Sequence, residues 1–198
     1  MKRRAFLAAT GGTVAALSGC TQTQAGGSAA NAGGPEATVT FDVPAIDVNR
    51  FRTRYTQDGE NVSPELIVVG TAASIQHLTV VMEDADTGDV HWTMWDVPVG
   101  IESIPEDVRK EPQVRLTEVD GEGEPPTVSQ GQNYTGDVGY AGPNPPEGEE
   151  HVYRIRMAGT EQSLGVEPGA APSAVREALS GRVVGESSLT GTYGGGEE

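Results

Sequence analysis

Apolar residues in this chain come in short runs, and nearly every run is closed by glycine or proline. With 27 Gly and 13 Pro, breakers are too frequent for long helices to dominate. The runs carry β-type patterns. Thr38-Val39-Thr40-Phe41-Asp42-Val43 alternates polar and apolar residues, the period of a half-buried strand. Leu66-Ile67-Val68-Val69 and His77-Leu78-Thr79-Val80-Val81-Met82 read as fully buried strands. His91-Trp92-Thr93-Met94-Trp95-Asp96-Val97 is another strand, stopped by Pro98. From His151 to Met157 alternation is strict, with Tyr153, Ile155 and Met157 on one face and Val152, Arg154 and Arg156 on the other. Arg182-Val183-Val184 and Ser188-Leu189-Thr190 read as two short late strands. One helix is expected, Pro172 to Leu179, with Pro at its start, Ser173 as cap and Gly181 as stop. Repeats and heptads are absent from the sequence. Many short strands with one helix predict an all-β domain, a sandwich or a barrel-like pair of sheets.

The N-terminus follows a different logic. Lys2, Arg3 and Arg4 precede a small-residue apolar stretch from Ala5 to Leu17, the layout of an export signal. It is shorter than the ~20 apolar residues a spanning helix needs. The Arg3-Arg4 pair followed by Phe6 and Leu7 fits a twin-arginine signal. Leu17-Ser18-Gly19-Cys20 closes the stretch as a lipobox, which makes Cys20 the lipidated first mature residue. Cys20 is the single cysteine, so a mature domain without disulfides has to be held by its core. The Gly-, Ala- and Gln-rich stretch that follows cannot bury enough surface to order itself and reads as a tether. The expected layout is a signal over 1–19, a tether over 20–36 and one domain over 37–195. The expected location is the extracytoplasmic face of the membrane, or the exterior.

Thirteen Lys and Arg stand against 29 Asp and Glu, for a formal charge of −16. Loss of Lys2, Arg3 and Arg4 with the signal makes the mature form more acidic still. Such a surface repels itself unless salt screens it, with a Debye length of about 3 Å at 1 M. The expected source is a salt-loving, haloarchaeal-type organism. An acidic domain of this kind offers no basic footprint for nucleic acid.

Three segments concentrate chemistry-bearing residues. Asp58-Gly59-Glu60-Asn61-Val62-Ser63-Pro64 is rich in turn formers and reads as a structured loop. Glu83-Asp84-Ala85-Asp86, followed by His91-Trp92, puts carboxylates at the end of an apolar strand. There they could bind a metal, orient an imidazole, capture an ammonium group, or form a solvated acidic loop. Tyr140-Ala141-Gly142-Pro143-Asn144-Pro145-Pro146-Glu147-Gly148, with His151 and Tyr153 beyond it, is a stiff loop that can wall a pocket and present N–H donors to an anion. His77, the remaining histidine, starts a strand and is read as having no role.

In this order the segments resemble the phosphatidylethanolamine-binding protein family, in its bacterial and archaeal Raf-kinase-inhibitor-like branch. Asp58 to Pro64 is similar to that family's Asp-Gly-x-Asn-x-Ser-Pro segment. Asp84, Asp86, His91 and Trp92 match its Asp-Pro-Asp-Ala-Pro and His-Trp motifs. Gly131, Asn133, Tyr140, Gly142, Pro143, Pro145, Pro146, Gly148, His151 and Tyr153 match its Gly-x-Asn and Tyr-x-Gly-Pro-x-Pro-Pro-x-Gly motifs and the His and Tyr after them. Gly191-Thr192-Tyr193 matches the closing segment. The resemblance runs from Thr38 to Tyr193. Departures are Ala85 for the first motif Pro, Thr87 for Ala, Val152 for an Arg, and Gln57 for a Cys.

The resemblance implies an antiparallel two-sheet β-sandwich with a peripheral C-terminal helix and a small anion pocket at one end. Asp84, Asp86, His91, Tyr140, Pro146 and His151 would line that pocket, and the loop from Gly142 to Gly148 would form its rim. His91 and His151 would donate to a phosphate-like oxygen. Asp84 would pair with a ligand amine or fix an imidazole tautomer, and Tyr140 would add a ring wall and a hydroxyl donor. No nucleophile with a base and an orienting group is evident, so the expectation is a binding module, with no catalytic residue, cofactor or metal. Its partners would be a small anionic or zwitterionic ligand, the membrane through the lipid on Cys20, and a protein it modulates. An inhibitor presenting its Pro-rich loop and a hydrolase with an Asp/His base remain open as alternatives.

Overall fold

A computed structural model describes residues 39–117 and 124–195. The expected signal, the lipobox at Cys20 and the tether lie outside the described residues. Among the described residues, eleven strands form two sheets. The smaller has three strands, ordered β1-β4-β7, from β1 (Val39–Asp42), β4 (Leu66–Thr71) and β7 (Ser103–Ile104). The larger has eight, ordered β2-β3-β11-β10-β5-β6-β9-β8. Its members are β2 (Ile46–Asp47), β3 (Arg50–Phe51), β5 (His77–Asp84), β6 (Val90–Pro98), β8 (Gln113–Arg115), β9 (Thr127–Gln130), β10 (Glu150–Thr160) and β11 (Val183–Gly194). Pairing is antiparallel except where Thr192 of β11 meets Arg50 of β3 in parallel.

Side-chain alternation explains the layering. In β5, Leu78, Val80 and Met82 join Trp92 and Met94 of β6 and Tyr153, Ile155 and Met157 of β10 in one cluster. Val39, Phe41, Leu66 and Ile104 of the small sheet close over it. Val81, Trp95 and Ala158 emerge on the opposite face, where Val175 and Leu179 of α1 (Pro172–Leu179) cover them. Strands β5 and β6 are therefore buried on both faces and read as nearly continuous apolar runs. The core cluster sets the sandwich, and α1 adds a peripheral layer, as expected for the fold class.

Several local expectations change. Leu66 is buried, but Val69 is 66% exposed, because the outer face of the three-stranded sheet meets solvent. The two late strands are one strand of twelve residues. Its Gly185, Glu186, Ser187 and Ser188 carry no apolar signal, and the long ladder with β10 imposes the extended form. Ser173 is not the helix cap. Ala171 takes that position without a side-chain bond, and Pro172 occupies the first turn, where a missing N–H costs nothing. Gly181, at φ +71, ends the helix as expected. Strands β8 and β9 arise in a Pro-rich acidic stretch with little strand signal. The amide of Gln130 supports them, accepting from Trp92 Nε1 at 2.8 Å and donating to the carbonyls of Arg109 and Glu111.

Candidate binding site

The antiparallel order β11-β10-β5-β6 brings the end of β5, the start of β6 and the start of β10 to one edge of the sandwich. Asp84 ends β5 and is buried. Its Oδ1 accepts the backbone N–H groups of Asp86 (2.8 Å) and Thr87 (3.2 Å), an Asx turn that folds the acidic segment back on itself. Gly88, at φ +82, donates to the Asp84 carbonyl and completes the turn. Exposed Asp86 is also committed, since its Oδ2 accepts the Val152 N–H at 2.7 Å and extends the β5–β10 contact beyond the ladder. The acidic loop is thus stitched by its own carboxylates.

His151, second residue of β10, donates from Nδ1 to Asp84 Oδ2 at 2.6 Å. Its Nε2 lies 3.3 Å from Glu149 Oε2. The Asp84 hydrogen bond raises the His151 pKa against a smaller burial effect, with Glu149 and Asp86 adding to the rise. For Asp84, burial pushes the pKa up. The hydrogen bonds from His151, Asp86 and Thr87 outweigh it, and the carboxyl titrates below its usual range. The result is a buried ion pair in which Asp84 also holds the N–H groups of Asp86 and Thr87.

His91 is held differently. Its Nδ1–H donates to the Ala141 carbonyl at 2.8 Å, and Ala141 N–H returns a bond to the His91 carbonyl at 2.9 Å. Burial lowers the His91 pKa, against the raising effects of the Ala141 carbonyl and of Asp84. A neutral ring with Nδ1 protonated leaves Nε2 as a lone-pair acceptor. Tyr153 neighbours both imidazoles, edge-on to His91 at 5.2 Å and stacked on His151 at 6.5 Å. Its hydroxyl is kept protonated by burial and by the Asp84 charge.

The Pro-rich loop is anchored from behind by the Asp58–Pro64 region. Asn61, in the left-handed conformation at φ 55, accepts the Gly142 N–H on Oδ1 at 2.8 Å. Gln57 N–H donates to the Pro143 carbonyl at 3.0 Å, and its amide donates to the Gly142 carbonyl at 3.0 Å. Gly142 lies so close to this support that a Cβ there would sit 2.4 Å from the Tyr55 carbonyl oxygen.

The structure therefore gathers Asp84, Asp86, His91 and His151, with Gly142 in the flanking loop. It does not give Tyr140 the role of a pocket wall. That ring is core, edge-on to Trp92 at 5.7 Å, and its hydroxyl donates to the Tyr55 carbonyl at 2.6 Å. The aromatic partner of the imidazoles is Tyr153, which the motif contained but the expected site omitted. The Gly142 N–H is likewise spent on Asn61 rather than free for a ligand. Pro146 is exposed, its carbonyl accepting the Glu149 N–H in a turn. Glu149, Gln57 and Tyr134 were not foreseen either, since polar loop residues and one loop tyrosine carry no distinguishing spacing. By distance alone Asp84, Asp86 and His151 could hold a metal ion, with ligand atoms within 4.8 Å of one another. The same carboxylates already accept the Asx-turn N–H groups, the Val152 N–H and the His151 Nδ1–H.

The profile of the family described as phosphatidylethanolamine-binding protein matches residues 44–194. A UPF0098 protein of Methanothermobacter thermautotrophicus is 35% identical over 150 residues, covering 74% of this chain and 92% of the relative. One from Pyrococcus horikoshii is 28% identical over 167 residues, covering 81% and 80%. Among solved structures, E. coli YbcL, described as a member of the mammalian PEBP family, superposes with a TM-score of 0.67 at 22% identity, over 80% of this chain and 99% of that one. A phosphatidylethanolamine-binding protein homologue from Chlamydia trachomatis gives 0.65 at 20% identity, over 82% and 100%. With its sandwich, its spaced motifs and this profile match in register, the chain belongs to the phosphatidylethanolamine-binding protein family.

Proposed function

We propose that the protein is an exported, lipid-anchored binding module that holds a small anionic or zwitterionic group between His91 and His151, and modulates a partner protein by doing so. The carrying observation is the pair of buried imidazoles that both neighbour Tyr153, one oriented by Asp84 and the other by the Ala141 carbonyl. Neither imidazole faces a serine, threonine or cysteine as nucleophile among the described hydrogen bonds, which favours binding over covalent catalysis. The tautomer narrows the ligand. Neutral His91 accepts at Nε2, so an oxyanion binds there when it carries a proton of its own or when the ring takes one up. Glu149 is exposed, so His151 Nε2–H can turn from it to the ligand.

The test is a thermal-shift screen of the full-length chain in molar salt with phosphate, phosphoethanolamine, nucleotides and small carboxylates. A saturable shift that weakens about tenfold in His91→Ala supports the reading. A shift equal in the variant removes His91 from the site. Anchoring has its own test. Cys20→Ser is expected to move the protein from membrane to soluble fraction, and unchanged membrane attachment refutes the lipobox. The acidic surface predicts a lower melting temperature in millimolar than in molar salt, and a salt-independent melting temperature contradicts adaptation to brine. Exposed Asn144, Pro146 and Glu147 also suit inhibition through the loop tip. Capture of a partner lost on changing Asn144 or Glu147, with anion binding intact, would favour that reading.

A further inference from the structure

His91 is 3% exposed, and its two ring neighbours differ in kind. Tyr153, fully buried, supports it edge-on from the core side. Tyr134, 39% exposed, lies over it with ring centroids 4.7 Å apart and a 41° tilt. Of the two rings, Tyr134 is the one that meets solvent.

The backbone beneath Tyr134 is tightly fixed. Its N–H donates to the Val90 carbonyl at 2.7 Å. Asn133, just before it, donates from Nδ2 to the Gly139 carbonyl and accepts the Thr135 N–H and hydroxyl on Oδ1. Gly136, at φ +90, closes the same turn on the Asn133 carbonyl. The ring, by contrast, is tied at its tip by one bond, from Gln57 Nε2 to the Tyr134 hydroxyl at 2.7 Å. The same Gln57 nitrogen donates to the Gly142 carbonyl at 3.0 Å. Gln57 thus joins the loop carrying Tyr134 to the loop carrying Gly142, which flank His91 on two sides.

We propose that Tyr134 is a cover over His91, latched by Gln57, and that it sets the size of group admitted to the site. A side chain hinged on a rigid turn and held by one solvent-accessible hydrogen bond can swing without disturbing the core, since water replaces such a bond at little net cost. The latch also couples cover to rim, because a group that displaces the Gln57 amide from Gly142 loosens Tyr134 at the same time. The ligand half of this proposal rests on the binding role above. The covering half does not.

The experiment has two readouts on the full-length chain. The first is the rate at which diethyl pyrocarbonate modifies His91, followed by peptide mass. Tyr134→Ala is expected to raise it about tenfold, a shift of a closed equilibrium by one decade. Tyr134→Phe, which keeps the ring and loses the hydroxyl, and Gln57→Ala are expected to give smaller rises. His77 and His151 rates should stay at parent values, which excludes general unfolding. An unchanged His91 rate in Tyr134→Ala overturns the proposal. The second readout is affinity for inorganic phosphate and for the bulkier glycerophosphoethanolamine. Tyr134→Ala should strengthen binding of the larger compound relative to phosphate, and an equal change for both overturns the size role. If neither compound binds parent or variant while the His91 rate still rises, the anion reading fails and the cover stands.

Discussion

Replacing Asp84 with Ala is expected to destabilise the protein by about 3–5 kcal/mol, the range for removing one partner of a buried ion pair. Three donors lose their acceptor together: His151 Nδ1–H and the N–H groups of Asp86 and Thr87. Asp84→Asn keeps an oxygen for the turn and loses the charge. It should cost less, about 1–2 kcal/mol, and should let the His151 pKa fall back toward its ordinary value. Chemical denaturation with constant slope measures both, and a near-neutral Asp84→Ala contradicts the ion pair. The pH dependence follows from the two shifts. Asp84 titrates below its usual 3.8, so its contribution is present above about pH 4 and disappears as pH falls through the lowered value. His151 titrates above its usual 6.5, so its contribution is complete below about 6.5 and disappears as pH rises through the raised value. Parent and Asp84→Asn should therefore differ most between about pH 4 and 6.5, with the gap narrowing on both sides. His91 acts in the opposite sense. Buried and neutral, it makes folding less favourable as pH falls through 6.5.

Gly142→Ala is the second large effect, expected to cost about 3 kcal/mol by overpacking. Glycine is required here for space and not for its dihedral range. The added Cβ would lie 2.4 Å from the Tyr55 carbonyl oxygen and 2.8 Å from Thr56 Cα, both backbone atoms that cannot step aside. The loop must then lift, taking Gly142 N–H off Asn61 and straining the neighbouring Ala141 carbonyl that orients His91. Stability and ligand binding should fall together. Gly148→Ala is the control. Its position is open, with nothing within 4 Å, but has φ +82, so it should cost only about 1 kcal/mol. Equal effects of the two substitutions would contradict the tight seating of Gly142.

Apolar patterning marked the strands that make the core, because β5 and β6, buried on both faces, are nearly continuous apolar runs and β10 alternates. It could not mark β8, β9 or the middle of β11, whose pairing is imposed by neighbours and by buried polar side chains such as Gln130. The site divides similarly. Residue types and spacing singled out Asp84, His91 and His151, since histidines are scarce and the motifs are specific. The division of labour among the tyrosines was hidden. Tyr140 and Tyr153 are both family-type positions, and only packing shows that one hydroxyl is spent on Tyr55 while the other ring neighbours both imidazoles. Gln57, a departure from the family pattern, became interpretable only once Tyr134 was seen at its other end.

The most direct test is a titration of inorganic phosphate into the full-length chain at pH 6.5, read through the imidazole ¹⁵N resonances of His91 and His151. Saturable movement of His91 Nε2 from an unprotonated toward a hydrogen-bonded or protonated shift is expected, with His151 Nε2 moving at the same concentrations and His77 still. If both site rings stay unmoved at the highest phosphate the protein tolerates, the pocket does not hold an anion and the proposed function is wrong.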